Sequence, residues 1–201
     1  MRTVTAIFLC GLLLLNSGCV RSLHSILKKD DLISDKALVG IWVDDSGDTW
    51  AFTKKSEKVY QLVIHETRKN RYAHLEARLG KVSDQLFLSF SIDPDKNSID
   101  SDVVGLHVLP VHTFAHVKQI QPSLQFSWPD HGWVKKHIKK NPEELKHEII
   151  GDSYVLTSST EDLQKFFLKH VATKGVFDNY SDLQQPGLRK PEKATDPEED
   201  K

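Results

Sequence analysis

The sequence predicts a mainly β fold: an antiparallel meander of about eight strands, closed as a barrel or nearly so, with helices in its C-terminal part. Three observations predict it. Apolar and polar residues alternate with period two through the middle of the chain. Clusters of turn-forming residues separate those segments at regular spacing. A strong helical stripe comes only late, after Ser159.

A hairpin opens the series, with Val39–Val43 returning as Thr49–Thr53 through Asp44-Asp45-Ser46-Gly47-Asp48. Tyr60, Leu62 and Ile64 then alternate with Gln61, Val63 and His65, and Arg68-Lys69-Asn70-Arg71 turns the chain. In the next strand Ala73, Leu75, Ala77 and Leu79 share one face, while Tyr72, His74, Glu76 and Arg78 share the other. That alternation puts one face on a core and the other in water. Ser83-Asp84 leads into a strand where Leu86, Leu88, Phe90 and Ile92 alternate with Phe87, Ser89 and Ser91. The turn-rich run from Asp93 to Ser98 predicts a longer loop. Val103–Leu109, Thr113–Ile120 and Leu124–Trp128 complete the eight, with Gln121-Pro122-Ser123 turning the last pair.

Trp133–Lys140 reads as a basic helix, and Asn141-Pro142-Glu143-Glu144 has the form of a new helix start, Asn as cap and Pro at the first position. His147–Ile150 and Tyr154–Thr157 pair around Gly151-Asp152. Ser159 caps a helix from Thr160 to about Thr173. Leu163, Phe166, Phe167, His170 and Val171 form its apolar stripe, and Gly175 stops it. This helix is expected to cap the sheet at one side or end.

The N-terminus carries an address. Met1-Arg2 is a short basic start, Val4 to Leu15 is apolar apart from Thr5 and Gly11, and Asn16-Ser17-Gly18 closes the run before Cys19. This is the layout of a signal peptide over residues 1–18, too short to remain as a spanning helix. Cys10 leaves with that peptide, so Cys19 is the one cysteine of the remaining chain and has no disulfide partner within it. Leucines followed by Ser17-Gly18-Cys19 resemble the lipobox of bacterial lipoproteins, with Asn16 where that family usually has Leu. The resemblance implies cleavage before Cys19, a diacylglycerol on its thiol and an acyl chain on the new amine. Val20 in place of Asp implies the outer rather than the inner membrane.

The expected organisation is a lipid-anchored tether over 19–36, a single barrel-like domain over 37–178, and a largely disordered tail over 179–201 that carries two prolines and much charge from Gly187 onward. Loss of Arg2 leaves one fewer than the 27 basic residues against 28 acidic ones, a net charge of −2. A nucleic-acid binder usually shows a basic surplus, so that class is excluded.

Leu38-Val39-Gly40-Ile41-Trp42 resembles the Gly-x-Trp start of the lipocalin superfamily, and the run from Cys19 to His24 with Ala37 to Trp42 is similar to envelope lipoproteins without an assigned function. The lipocalin likeness implies a barrel holding a small apolar ligand, with Trp42, Ala73 and Ala77 as candidate ligand-binding residues. The Thr-Asp-Tyr phrase and the internal disulfide of that superfamily are missing.

Catalytic signatures are sparse. No Gly-x-Ser-x-Gly elbow and no phosphate-binding glycine loop occurs. Of the 10 histidines, His107, His112 and His116 are the densest group. On a strand His112 and His116 share a face but lie about 13 Å apart, too far to share an ion. Lys135, Lys136, Lys139 and Lys140 with Trp133 and Ile138 have the composition of a helix that touches anionic headgroups, offset by Glu143, Glu144 and Glu148. The expected function is therefore that of a non-catalytic envelope lipoprotein that binds a small apolar ligand or scaffolds an envelope partner, with no cofactor beyond the lipid on Cys19. The alternative is a metal-dependent hydrolase using histidines in 107–116.

Overall fold

The computed structural model describes residues 19–93, 95–96 and 107–187. In chain order the first strands are β1 (Arg21–Ser22), β2 (Leu32–Ile33), β3 (Gly40–Val43), β4 (Thr49–Lys54), β5 (Tyr60–Glu66), β6 (Arg71–Val82) and β7 (Gln85–Ile92). They are followed by β8 (Thr113–Gln119), β9 (Leu124–Ser127), α1 (His131–Lys140), β10 (His147–Ile150), β11 (Ser153–Leu156), α2 (Thr160–His170) and β12 (Tyr180–Leu183).

The main sheet is an antiparallel meander in the order β12-β9-β8-β7-β6-β5-β4-β3. Its seam is held by paired backbone hydrogen bonds between Val43 and Gln184, 2.8 and 2.9 Å long. The result is a nearly closed barrel of eight strands, as the alternation predicts, but its membership differs. The eighth strand is β12, which pairs with β9 through Ser181↔Phe126 and Leu183↔Leu124. Tyr180–Leu183 was expected within a disordered tail. It is a strand because Leu183 completes the interior and its backbone closes the barrel. The expected strand Val103–Leu109 lies outside the described residues over 103–106, and 107–109 run as turn and coil.

The register sends one set of side chains inward. Trp42 faces Trp50, Leu62 faces Leu75, Ala77 faces Phe90, Leu88 faces Ala115, and Val117 faces Phe126. These join Leu38, Phe52, Tyr60, Leu79, Ile120, Leu124 and Leu183 in one continuous core. The Trp128 ring packs between Phe90 and Phe126 at centroid distances of 5.1 and 5.7 Å. One end is stopped by residues 34–38. There the Tyr60 hydroxyl accepts from the Asp35 amide and donates to its carbonyl, and the Trp42 indole N–H donates to the Leu38 carbonyl. Gly40 makes this entry possible: its φ of +142° turns the chain from the 3₁₀ turn at Lys36–Leu38 into β3.

A second core lies outside the barrel. Phe87 and Phe114, on the outward faces of β7 and β8, are fully buried beneath Val134 and Ile138 of α1, Leu163 and Phe167 of α2, and Phe177. Strand β7 is therefore buried on both faces, with four consecutive buried residues from Phe87 to Phe90. The helices thus cover one side of the barrel rather than its end. A small sheet, β1-β11-β10, completes this layer.

The segment expected as a tether over 19–36 belongs to this second core. Val20, Ile26 and Leu27 are buried, and Ser22 exchanges backbone hydrogen bonds with His112. Ser25 meets Ser89, and the Thr160 and Gln164 side chains of α2 donate to the carbonyls of Ser25 and Ile26. Leu27 packs so closely on Gly80 that a β-carbon there would lie 2.6 Å from it. The helix start expected at Asn141 is instead the end of α1: Asn141 caps the His137 carbonyl, and residues 142–145 turn so that Leu145 is buried.

Leu183→Ala is expected to cost about 2–5 kcal/mol of stability by leaving a cavity at the seam, read as a lower urea midpoint with unchanged slope.

Candidate functional site

The candidates read from sequence are dispersed. Trp42 and Ala77 are barrel core, and Ala73 is half-buried beside Ile64. The large interior side chains are Trp42, Phe52, Tyr60, Phe90 and Phe126. His107 is exposed at a turn. His112 is held by Ser22 ahead of β8, and burial lowers its pKa.

Both ring nitrogens of His116 are engaged. Nε2 lies 2.8 Å from Gln85 Oε1, an acceptor, so Nε2 carries the proton and Nδ1 accepts from the Tyr180 hydroxyl at 2.9 Å. The imidazole also packs against Phe87 and Phe177. Burial pushes its pKa below the ordinary histidine value. His116 is thus a tie between β8, β7 and β12, and these bonds leave neither nitrogen for a metal.

Two other places carry more. The first is the Cys19 end. Cys19 is exposed, and Val20 directly after it is 1 % exposed. Strand β1 runs parallel to β11 with Arg21 level with Val155, so the same register brings Cys19 level with Ser153 at the tip of the β10–β11 hairpin. The Arg21 guanidinium donates to the Ser153 hydroxyl. Across β11, on the edge strand, Ile149 and Ile150 are 74 % and 62 % exposed. The Lys135 ammonium donates to the Asp152 carbonyl at 2.6 Å, which sets the middle of α1 beside the same tip. No helix among the described residues is long and apolar enough to cross a membrane.

The second place joins three elements that sequence spacing does not connect. His137 in α1, Glu144 in the following turn and His170 at the end of α2 present side-chain ligand atoms that all lie within 4.8 Å of one another. Glu144 Oε2 is 3.1 Å from His137 Nε2 and 3.7 Å from His170 Nε2. The rings of Trp133 and Phe166 wall the cluster: Trp133 stacks on His137 at 4.7 Å, and Phe166 lies 4.8 Å from His170. The His137 hydrogen bond, with help from Lys169 at 3.2 Å, holds the Glu144 carboxyl below its usual value. Burial lowers the pKa of His170, and the electrostatic effect of His137 and Lys169 acts in the same direction. Beside the cluster an open hollow of about 480 Å³ is lined by Glu144, Phe166, Lys169, Ser158 and Asp162. Sequence reading placed His170 on an apolar stripe. A histidine amid Phe166 and Phe167 was the one signal available.

No family model, no curated protein and no solved structure matches this chain. The likeness to lipocalins is therefore one of layout, an antiparallel eight-stranded barrel with Gly40-Ile41-Trp42 opening its first strand.

Partly buried histidines give stability a pH dependence. His112, His116 and His131 have pKa values lowered by burial. The unfolded chain, with histidine near 6.5, therefore binds protons at a higher pH than the folded one. Stability is complete above about pH 6.5 and falls as pH drops through that value toward the folded pKa values. Urea midpoints measured between pH 7.5 and 5 are expected to decline, and less steeply in His116→Gln.

Proposed function

We propose that this protein is a lipid-anchored component of the bacterial cell envelope whose barrel acts as a rigid, non-catalytic scaffold held directly against the membrane. One observation carries the reading. Cys19, the first residue after an apolar run that ends in Ser17-Gly18, is exposed and stands one residue from the core. Two or three acyl chains at that position anchor a protein stably. Because Val20 and Ser22 are buried, little slack separates the anchor from the folded body.

The surface around the anchor supports this placement. The exposed Ile149 and Ile150 lie about 10 Å from the Cys19 strand, two inter-strand spacings away. Arg21 and Lys135 flank the hairpin, with Glu148 and Asp152 nearby. Aliphatic side chains beside basic ones suit the headgroup boundary of a bilayer. The packed interior favours a scaffold over a carrier: the inward positions are filled by Trp42, Phe52, Phe90 and Phe126. The outer membrane is the proposed location, on the analogy of Val20 after the lipidated cysteine.

In cells expressing the full chain, Cys19→Ser is expected to move the protein from the membrane to the soluble fraction; full membrane association of Cys19→Ser that also carries Ile149→Ser and Ile150→Ser would refute the anchor. The hairpin is tested separately, by partition of the Cys19→Ser protein onto vesicles containing anionic lipid. Ile149→Ser with Ile150→Ser is expected to weaken partition roughly ten- to a hundredfold, from losing half-burial of two side chains worth ~1.5–3 kcal/mol each when fully buried. The folding midpoint is expected to stay unchanged. A purified protein that released a stoichiometric apolar molecule on solvent extraction would restore the carrier reading.

A further inference from the structure

We propose that His137, Glu144 and His170 form a binding site for one divalent transition-metal ion of the zinc class. The geometry is close to what such an ion needs. Ligand atoms about 2.0–2.1 Å from a tetrahedral zinc lie about 3.3–3.4 Å from one another. Here Glu144 Oε2 stands 3.1 Å from one imidazole Nε2 and 3.7 Å from the other, and all three atoms fall within 4.8 Å. Closing the widest separation, at most 4.8 Å, to that spacing takes a shift of up to about 1.4 Å.

The hydrogen bonds point the same way. His170 Nδ1 lies 3.3 Å from the Thr173 hydroxyl, which orients the ring with Nε2 toward Glu144. That Nε2 atom is buried and has no hydrogen-bond partner among the described residues. A buried imidazole nitrogen left in this state forfeits a hydrogen bond, and a metal ion would satisfy it. His137 is set by stacking on Trp133. Its Nε2 also lies 3.3 Å from the Asn141 amide, a contact that an ion on the same nitrogen would displace. His170, whose other ring nitrogen meets Thr173, has the outer hydrogen-bond partner that usually supports a metal-ligating histidine.

Two neutral imidazoles and one carboxylate bring a single negative charge to a divalent ion. They leave a fourth position for water, the pattern of open rather than closed zinc sites. Glu144 also lines the hollow that it shares with Ser158 and Asp162, so that position has access to solvent. The Asn141 amide at His137 Nε2 opposes the ion, as does Lys169. Its ammonium holds Glu144 Oε1 at 3.2 Å, while Oε2 remains the oxygen directed at the histidines. The site is independent of the lipid anchor: its residues lie in α1, the 141–145 turn and α2, and none comes from the Cys19 end.

The test is titration of the metal-free protein, purified without a histidine tag, with zinc chloride by calorimetry, and with cobalt(II) by visible absorption. One ion per chain is expected, with the intense ligand-field bands of a four-coordinate cobalt site. His137→Ala, Glu144→Gln and His170→Ala should each abolish stoichiometric binding, while His112→Ala and His116→Gln leave it intact. Thr173→Val should weaken binding about 10- to 100-fold, as loss of an outer-shell partner does. Lys169→Met should strengthen it. Circular dichroism of each variant separates lost ligands from lost fold. Absence of a stoichiometric site in the parent protein overturns the proposal. So does binding that survives His137→Ala and His170→Ala in folded protein.

Discussion

Phe87 and Phe114 point away from the barrel interior, and everything outside the barrel follows from the need to keep them from water. A free-standing antiparallel barrel puts polar residues on its outer face. Here two aromatic rings sit on that face in adjacent strands, and Phe114 meets Phe167 edge-on at 4.8 Å while Phe87 meets Phe177 at 6.3 Å. Fully burying side chains of this size is worth about 1.5–3 kcal/mol each relative to leaving them exposed. The two helices, the small sheet and the first residues of the described chain all converge on this patch.

Both places with functional promise are by-products of that convergence. Drawing Val20, Ile26 and Leu27 into the second core fixes where Cys19 emerges, and it emerges at the tip of the exposed β10–β11 hairpin. Packing α1 against α2 through Val134, Ile138, Phe166 and Phe167 brings His137 and His170 ring to ring, 5.0 Å apart. The turn that buries Leu145 then swings Glu144 between them. The barrel supplies the platform. Its own interior holds large side chains such as Trp42, Phe52, Phe90 and Phe126.

What was legible in the sequence was whatever depends on neighbours along the chain. The alternation in Ala73-His74-Leu75-Glu76-Ala77 and in Leu86-Phe87-Leu88 registers directly with the pleat, and these strands form as expected. Ser159 caps its helix through a side-chain bond to Asp162 N, as the sequence predicts, while the Asp130 cap on Trp133 N emerges only in the fold. The failures share a cause. Tyr180–Leu183 is too short and too polar to declare itself, and it becomes a strand only because the edges of β9 and β3 both need a partner. Val20, Ile26 and Leu27 are scattered among polar residues, without a period that marks a buried segment. Asn141-Pro142 carries the signs of a helix start, but the polypeptide there must turn to bring Leu145 inside.

By itself the sequence determined the fold class, most of the strand series, both helices and the apolar run that leads to Cys19. Each of these rests on local periodicity, caps and composition. Only the tertiary structure decided that the eighth strand comes from the C-terminal region and that residues 20–27 are core rather than tether. It alone placed two exposed isoleucines two strands from the cysteine and made His137, Glu144 and His170 neighbours. Those outcomes depend on contacts between residues far apart in the chain, and such contacts leave no period, no spacing and no cap for a reader of the sequence to find.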